Sequence, residues 1–118
     1  MKNAEFRNPA RRVRKFVKDR DWEQFHSPKN LSMALSVECA ELMEHFQWLT
    51  ESQSRKLSAA KRREVEAELA DVQIYLLRLS QMLDVDLLKA CGNKLVENGR
   101  KYPVAKAKGK ATKYSELK

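Results

Sequence analysis

Glycine and proline are scarce in this 118-residue chain, three of each, and β-branched residues are sparse. Turn-rich and sheet-rich folds draw on both groups, so the sequence predicts an all-α protein. Cysteine is scarcer still. Cys39 and Cys91 lie far apart with no C-x-x-C, which excludes zinc and dithiol redox motifs. Both are expected to be small buried thiols in a reducing compartment. Long apolar runs are missing: nothing reads as a leader or reaches membrane-spanning length, so a cytoplasmic protein without a membrane partner is expected. Repeats of solenoid period are also absent.

Acid is what the two ends lack. Residues 1–20 hold eight Lys/Arg against Glu5 and Asp19, and residues 101–118 hold six Lys against Glu116. The ends therefore carry +6 and +5, and the body between them −3, of the net +8. Basic ends on an acidic body read as solvated tails, or as a field that steers a polyanion such as a nucleoside triphosphate. No groove-reading motif accompanies them.

Four helices emerge from capping signals and apolar spacing. Asn8-Pro9 and Ser27-Pro28 are cap-plus-proline starts; they open helices over about 9–20, marked by Val13, Phe16 and Val17, and about 28–49, marked by Leu31, Leu35, Leu42, Phe46 and Leu49. Residues 50–57 show no period. Ser58 caps a long helix over 58–83 with Leu69, Val72, Leu76, Leu79 and Leu83 inward. Asp84-Val-Asp86 breaks the chain, and 86–101 follows with Leu87, Leu88, Cys91, Leu95 and Val96 before Pro103. One domain over 1–103 with a basic C-terminal tail at 104–118 is expected. Its core is modest for its surface, as in helical proteins that pair with a second copy.

Within this frame, Glu38-x-x-Glu41 and Glu68-x-x-Asp71 sit among residues that look like core. Residues three apart share a helix face. Four acids turned to a bundle interior lose hydration and repel one another unless protons or a cation intervene. All-oxygen ligands suit a hard ion, Mg²⁺ or Mn²⁺. At about 1.5 Å rise per residue, the pairs lie roughly 12 and 15 Å from the connecting loop, so an antiparallel hairpin would level them. A di-iron site needs two Glu-x-x-His motifs on core helices, and the chain has only Glu23-x-x-His26, at a turn. His45 reads as an ordinary bundle histidine, Glu64 and Glu66 as partly surface, and Glu44 as either a further ligand or solvent-facing.

Carboxylates holding Mg²⁺ suit phosphoryl chemistry, with one acid taking the proton of an activated water. Glu41, one turn before His45, is the first choice for that base, with Glu38 beside it. Trp22, Phe25, Trp48 and Tyr75 flank the expected cavity, where rings stack a flat base.

The acid motif resembles the MazG-type all-α NTP pyrophosphohydrolases. The strings RDWEQFHSPKNL, EHFQW, ELADVQIYLLRL and the late KYP with a closing KYSEL resemble the dCTP pyrophosphatase branch, from about Arg11 to Leu117. The resemblance implies a MazG-like four-helix-bundle protomer completed as a homotetramer of tight dimers. It implies hydrolysis of a nucleoside triphosphate, preferably dCTP or a related deoxynucleotide, to monophosphate and pyrophosphate, as nucleotide-pool housecleaning. It places Mg²⁺ on Glu38, Glu41, Glu68 and Asp71. It lines the nucleotide pocket with Trp22, Glu23, Gln24, Phe25, His26, Trp48 and Tyr75, and gives Lys94 and Asn98 contacts to phosphate or sugar, with Arg100, Lys101 and Tyr102 as weaker candidates. Val13 and Gly99 stand where animal dCTP enzymes carry a histidine and an arginine, which argues against strict cytosine selectivity. The alternative readings are a basic nucleic-acid-binding or antitoxin-like helical module without catalysis, and a purely structural bundle.

Overall fold

The structure, a computed structural model, describes residues 8–118; residues 1–7, part of the basic N-terminal end, lie outside it. No strand occurs among the described residues. The helices are α1 (Pro9–Asp19), α2 (Pro28–Glu44), α3 (Glu51–Ser54), α4 (Ala59–Met82), α5 (Leu87–Lys101) and α6 (Val104–Ala107). Two 3₁₀ turns, Glu23–Phe25 and Tyr114–Glu116, complete the order. The all-α expectation holds.

Each long helix starts where its cap stands. Asn8 Oδ1 accepts from the Arg11 N–H at 3.3 Å, Ser27 Oγ from Asn30 at 3.1 Å, Ser58 Oγ from Lys61 at 3.2 Å, and Asp86 Oδ1 from Lys89 at 3.1 Å. Each bond satisfies one of the orphan donors of a first turn.

Two expectations change at the end of α2. The helix stops at Glu44, not near residue 49, and 45–49 wind as tight turns. Two of their N–H groups reach back only three residues at 2.9 Å, Phe46 to Met43 and Leu49 to Phe46, while Gln47 still reaches back four, to Met43. The stretch 50–57 is also not featureless. Thr50 Oγ1 accepts from the Gln53 N–H at 3.1 Å while Gln53 Oε1 accepts from the Thr50 N–H at 2.9 Å. This capping box builds α3 and stops anything continuing through residue 50.

The chain forms two compact units, divided after Asp84. In the first, α4 packs mainly on α2 and also on α1. Three pairs fix the direction: His45 with Glu64, Glu38 and Glu41 with Glu68, and His26 with Arg78. As numbers fall along α2 they rise along α4, so the two helices run antiparallel. Val17, Leu31 and Val65 form its buried apolar centre.

The second unit holds α5, α6 and the closing 3₁₀ turn. The Tyr114 N–H donates to Tyr102 Oη at 3.2 Å, their rings meet edge-on at 6.1 Å, and Lys101 Nζ lies 4.7 Å from the Tyr114 ring. The segment after Pro103 is thus partly ordered on α5.

Several residues expected inward are exposed, among them Leu69, Leu83, Leu88, Leu95 and Val96. A single protomer covers only one face of each helix, leaving apolar positions elsewhere uncovered. Cys39 and Cys91 are exposed free thiols rather than buried ones. Glu38 and Glu41 hold the inward face of α2, and at 100° per residue Cys39 turns away from it.

Candidate metal centre and adjoining cavity

On the face where α2 meets α4, carboxylate oxygens of Glu38, Glu41 and Glu68 all lie within 4.8 Å of one another, and all three side chains are half-buried. Glu38 Oε2 and Glu68 Oε2 are buried without a hydrogen-bond partner. Burial, and then the neighbouring carboxyls of Glu41, Glu68 and Asp71, push the Glu38 carboxyl up to about 7. Orphaned oxygens in a crowd of like charge suit a positive partner. The donor set, all carboxylate oxygen, fits a hard divalent cation. The acid cluster could hold one.

Asp71 stands outside that tight trio, but its charge acts on Glu38 and it lines an adjoining cavity of about 530 Å³. Val13, Phe16 and Val17 of α1 form one wall of this cavity, and α4 supplies Ile74, Tyr75 and Arg78. Trp22 and His26 enter from the turn between α1 and α2.

The backbone explains how Trp22 gets there. Asp21 takes the left-handed conformation, φ 53°, its N–H bonds back to the Lys18 carbonyl, and the Trp22 N–H reaches the Val17 carbonyl. This paired closure ends α1 as a Schellman motif, with aspartate at the position glycine usually holds. It folds the indole against Phe16, edge-on at 5.7 Å between centroids.

His26 is tied down by Arg78, whose Nε donates to His26 Nδ1 at 3.0 Å. Burial, then the nearby guanidinium charge, holds the imidazole pKa below its usual value. His45 lies 3.8 Å from Glu64 Oε2 and joins no acid cluster; Glu64 also pairs with Lys61, and Glu66 with Arg62. Glu44 is exposed.

Of the other sequence-derived candidates, Glu23, Gln24 and Phe25 form the exposed 3₁₀ turn, outside the cavity lining. Gln24 Nε2 donates to the Asp21 carbonyl at 3.0 Å, and Asn30 Nδ2 to that of Phe25 at 3.1 Å. Trp48 projects from the turn after α2, 87% exposed, and does not line the cavity. Lys94 and Asn98 lie on α5 in the second unit, with Lys94 Nζ 3.4 Å from Glu97. Sequence reasoning missed Arg78 altogether. Its signal was available: one arginine inside the apolar run of α4, one turn past Tyr75. It also missed Phe16 as a cavity wall, whereas Val13, singled out by its alignment with a histidine of the animal dCTP enzymes, does line the cavity.

A helical scaffold that sets carboxylates of two antiparallel helices beside an aromatic-walled cavity defines an all-α, acid-cluster class of protein. The chain belongs to the MazG-like family, whose model it matches over residues 33–117. It is 41% identical over 104 residues to dCTP pyrophosphatase 1 of Rattus norvegicus, covering 86% of this chain and 61% of that protein. The dCTP pyrophosphatase 1 of Homo sapiens is 43% identical over the same length, with the same coverage of 86% and 61%. The chain thus spans about 61% of the length of these curated relatives. A crystal structure of a pyrophosphatase from Archaeoglobus fulgidus superposes with a TM-score of 0.74 at 40% identity, over 77% of this chain and 85% of that one. Among the described residues, no helix is long and apolar enough to cross a membrane.

Proposed function

We propose that this protein is a nucleotide pyrophosphohydrolase that converts a deoxynucleoside triphosphate, dCTP foremost, to the monophosphate and pyrophosphate. One observation supports it above all: two buried, unpartnered carboxylate oxygens, on Glu38 and Glu68, in an acid cluster whose neighbour Asp71 also lines an aromatic cavity. The names of the rat, human and archaeal relatives point the same way.

Glu38, Glu41, Glu68 and Asp71 would hold the metal, Mg²⁺ in this proposal with Mn²⁺ as its substitute. When bound, such an ion neutralises triphosphate charge and acidifies water. Glu41 takes the proton of the water that attacks the α-phosphorus, with Glu38 beside it; the bond from that phosphorus to the bridging oxygen breaks and pyrophosphate leaves. Trp22 and Tyr75 hold the base, each stacked ring contributing about 1–3 kcal/mol. Lys94 and Asn98 are assigned phosphate and sugar contacts on the family resemblance. The uncovered apolar positions Met33, Val37, Leu88 and Leu95 favour a homo-oligomer, a dimer of dimers, and the exposure of Trp48 suits a residue that meets substrate bound to a neighbouring copy.

Product analysis with Mg²⁺ and dCTP tests the bond that is cut. dCMP plus pyrophosphate is expected; dCDP plus phosphate would rule the reaction out.

A further inference from the structure

Among the described residues, Arg78 is the only buried charged side chain, 5% exposed. A guanidinium keeps its charge wherever it sits, so burying one demands partners. The partners it has are neutral. Its Nε donates to His26 Nδ1 at 3.0 Å and its Nη1 to Gln81 Oε1 at 3.1 Å. Gln81 is fixed in turn, its Nε2 donating to the Ala10 carbonyl at 2.6 Å. No carboxylate pairs with Arg78 and no partner meets Nη2 among the described residues. The fork is therefore held from two sides, with Nη2 left open to a further partner.

It lines the cavity shared by Trp22, Tyr75 and His26. With Nδ1 accepting from Arg78, neutral His26 carries its ring proton on Nε2, so it too is a donor. Arg12 lines the same cavity but is exposed on α1. Buried Arg78 and half-buried His26 thus offer hydrogens where a ligand would have to offer lone pairs, while the acceptor in the same lining, Asp71, is exposed and belongs to the acid cluster.

We propose that Arg78, positioned by Gln81 and seconded by His26, reads a carbonyl oxygen on the flat base held in this cavity. Cytosine, thymine, uracil and guanine carry such an oxygen; adenine presents an amino group instead. A donor facing a donor leaves both unpaired, and sites built around a hydrogen bond reject ligands that cannot make it. The pocket selects carbonyl-bearing bases and disfavours adenine. This inference deepens the proposed function and rests on it for the class of ligand.

Calorimetry with nucleosides and a chelator isolates base recognition from phosphate and metal. In the unaltered protein, deoxyinosine, which has the six-position oxygen, is expected to bind at least about tenfold more tightly than deoxyadenosine, the discrimination carried by one good hydrogen-bonded edge. Arg78→Met should shrink that ratio to near one, and Arg78→Lys should keep part of it, with circular dichroism reporting the fold. Should Arg78→Met fail to fold, the deoxyinosine–deoxyadenosine pair in the unaltered protein decides alone. Equal binding of the two, no binding of any nucleoside, or a preference surviving in Arg78→Met overturns the inference. If no triphosphate is hydrolysed under any metal while the preference stands, the pyrophosphohydrolase proposal falls and the base-reading pocket remains.

Discussion

Glu38 on α2 and Glu68 on α4 approach within 4.8 Å, and each keeps one carboxylate oxygen buried without a partner. Crowding of this kind stores unfavourable energy until a proton or a cation arrives. Replacing Glu38 by Gln removes one charge from the crowd. With chelator present at pH 8, Glu38→Gln is expected to raise the thermal midpoint on the order of 5 °C, what roughly 1 kcal/mol does in a chain of this size. A lower midpoint than the unaltered protein would show that the cluster is not strained.

The sign of the pH response follows from the same group. The Glu38 carboxyl rises from 4.5 to about 7 in the folded state, so between those values the folded chain holds more proton than the unfolded one. Its contribution to stability is full below 4.5 and is lost as pH climbs toward 7. His26 acts in the opposite sense, since its lowered pKa costs stability as pH falls below 6.5. The difference between unaltered protein and Glu38→Gln isolates the carboxyl: chelated melting curves at pH 4.5 to 7.5 should diverge upward. Saturating Mg²⁺ should reverse the trend, because the ion competes with the proton.

Turnover depends on the acids in the proposed chemistry. Glu41→Gln and Asp71→Asn are each expected to lower kcat/KM by about 10² or more, the scale of a lost general base. Far-ultraviolet circular dichroism should stay unchanged. Full activity in both variants would sink the acid-cluster proposal.

Asp21, with φ 53°, carries the sharp end of α1. A β-branched residue tolerates that conformation poorly, so Asp21→Val should cost about 1–2 kcal/mol. Asp21→Gly should be neutral or better. Because Trp22 follows directly, Asp21→Val is also expected to raise KM more than it lowers kcat, which steady-state kinetics would read.

The capping box around α3 gives a control outside the acid cluster and the cavity lining. Thr50→Ala removes the acceptor for the Gln53 N–H and should cost about 1 kcal/mol. Denaturant melts should register that loss with kcat untouched.

Sequence spacing made the acid pairs legible, because a three-residue offset has one meaning on a helix and matched distances from a loop set their height. The caps were equally legible: Asn8, Ser27, Ser58 and Asp86 each bond as their residue type dictates. The end of α2 was not, since Phe46 and Leu49 keep helical spacing whether the chain winds on or tightens into turns. Thr50 with Gln53 carried the missing signal. Burial on α4 and α5 was overread: an apolar stripe declares that something covers it, and Leu69, Leu88 and Leu95 are not covered within one protomer. Arg78 escaped notice because charge within an apolar run reads as an interruption, whereas here His26 and Gln81 hold it from two sides.

The left-handed turn at Asp21 has a last consequence. The indole of Trp22 is stationed by main-chain bonds to Lys18 and Val17 rather than by a loop free to wander. Guests therefore meet a wall already in place, and little motional freedom is surrendered on their arrival. Such preorganisation favours fast discrimination between similar visitors over accommodation of many shapes.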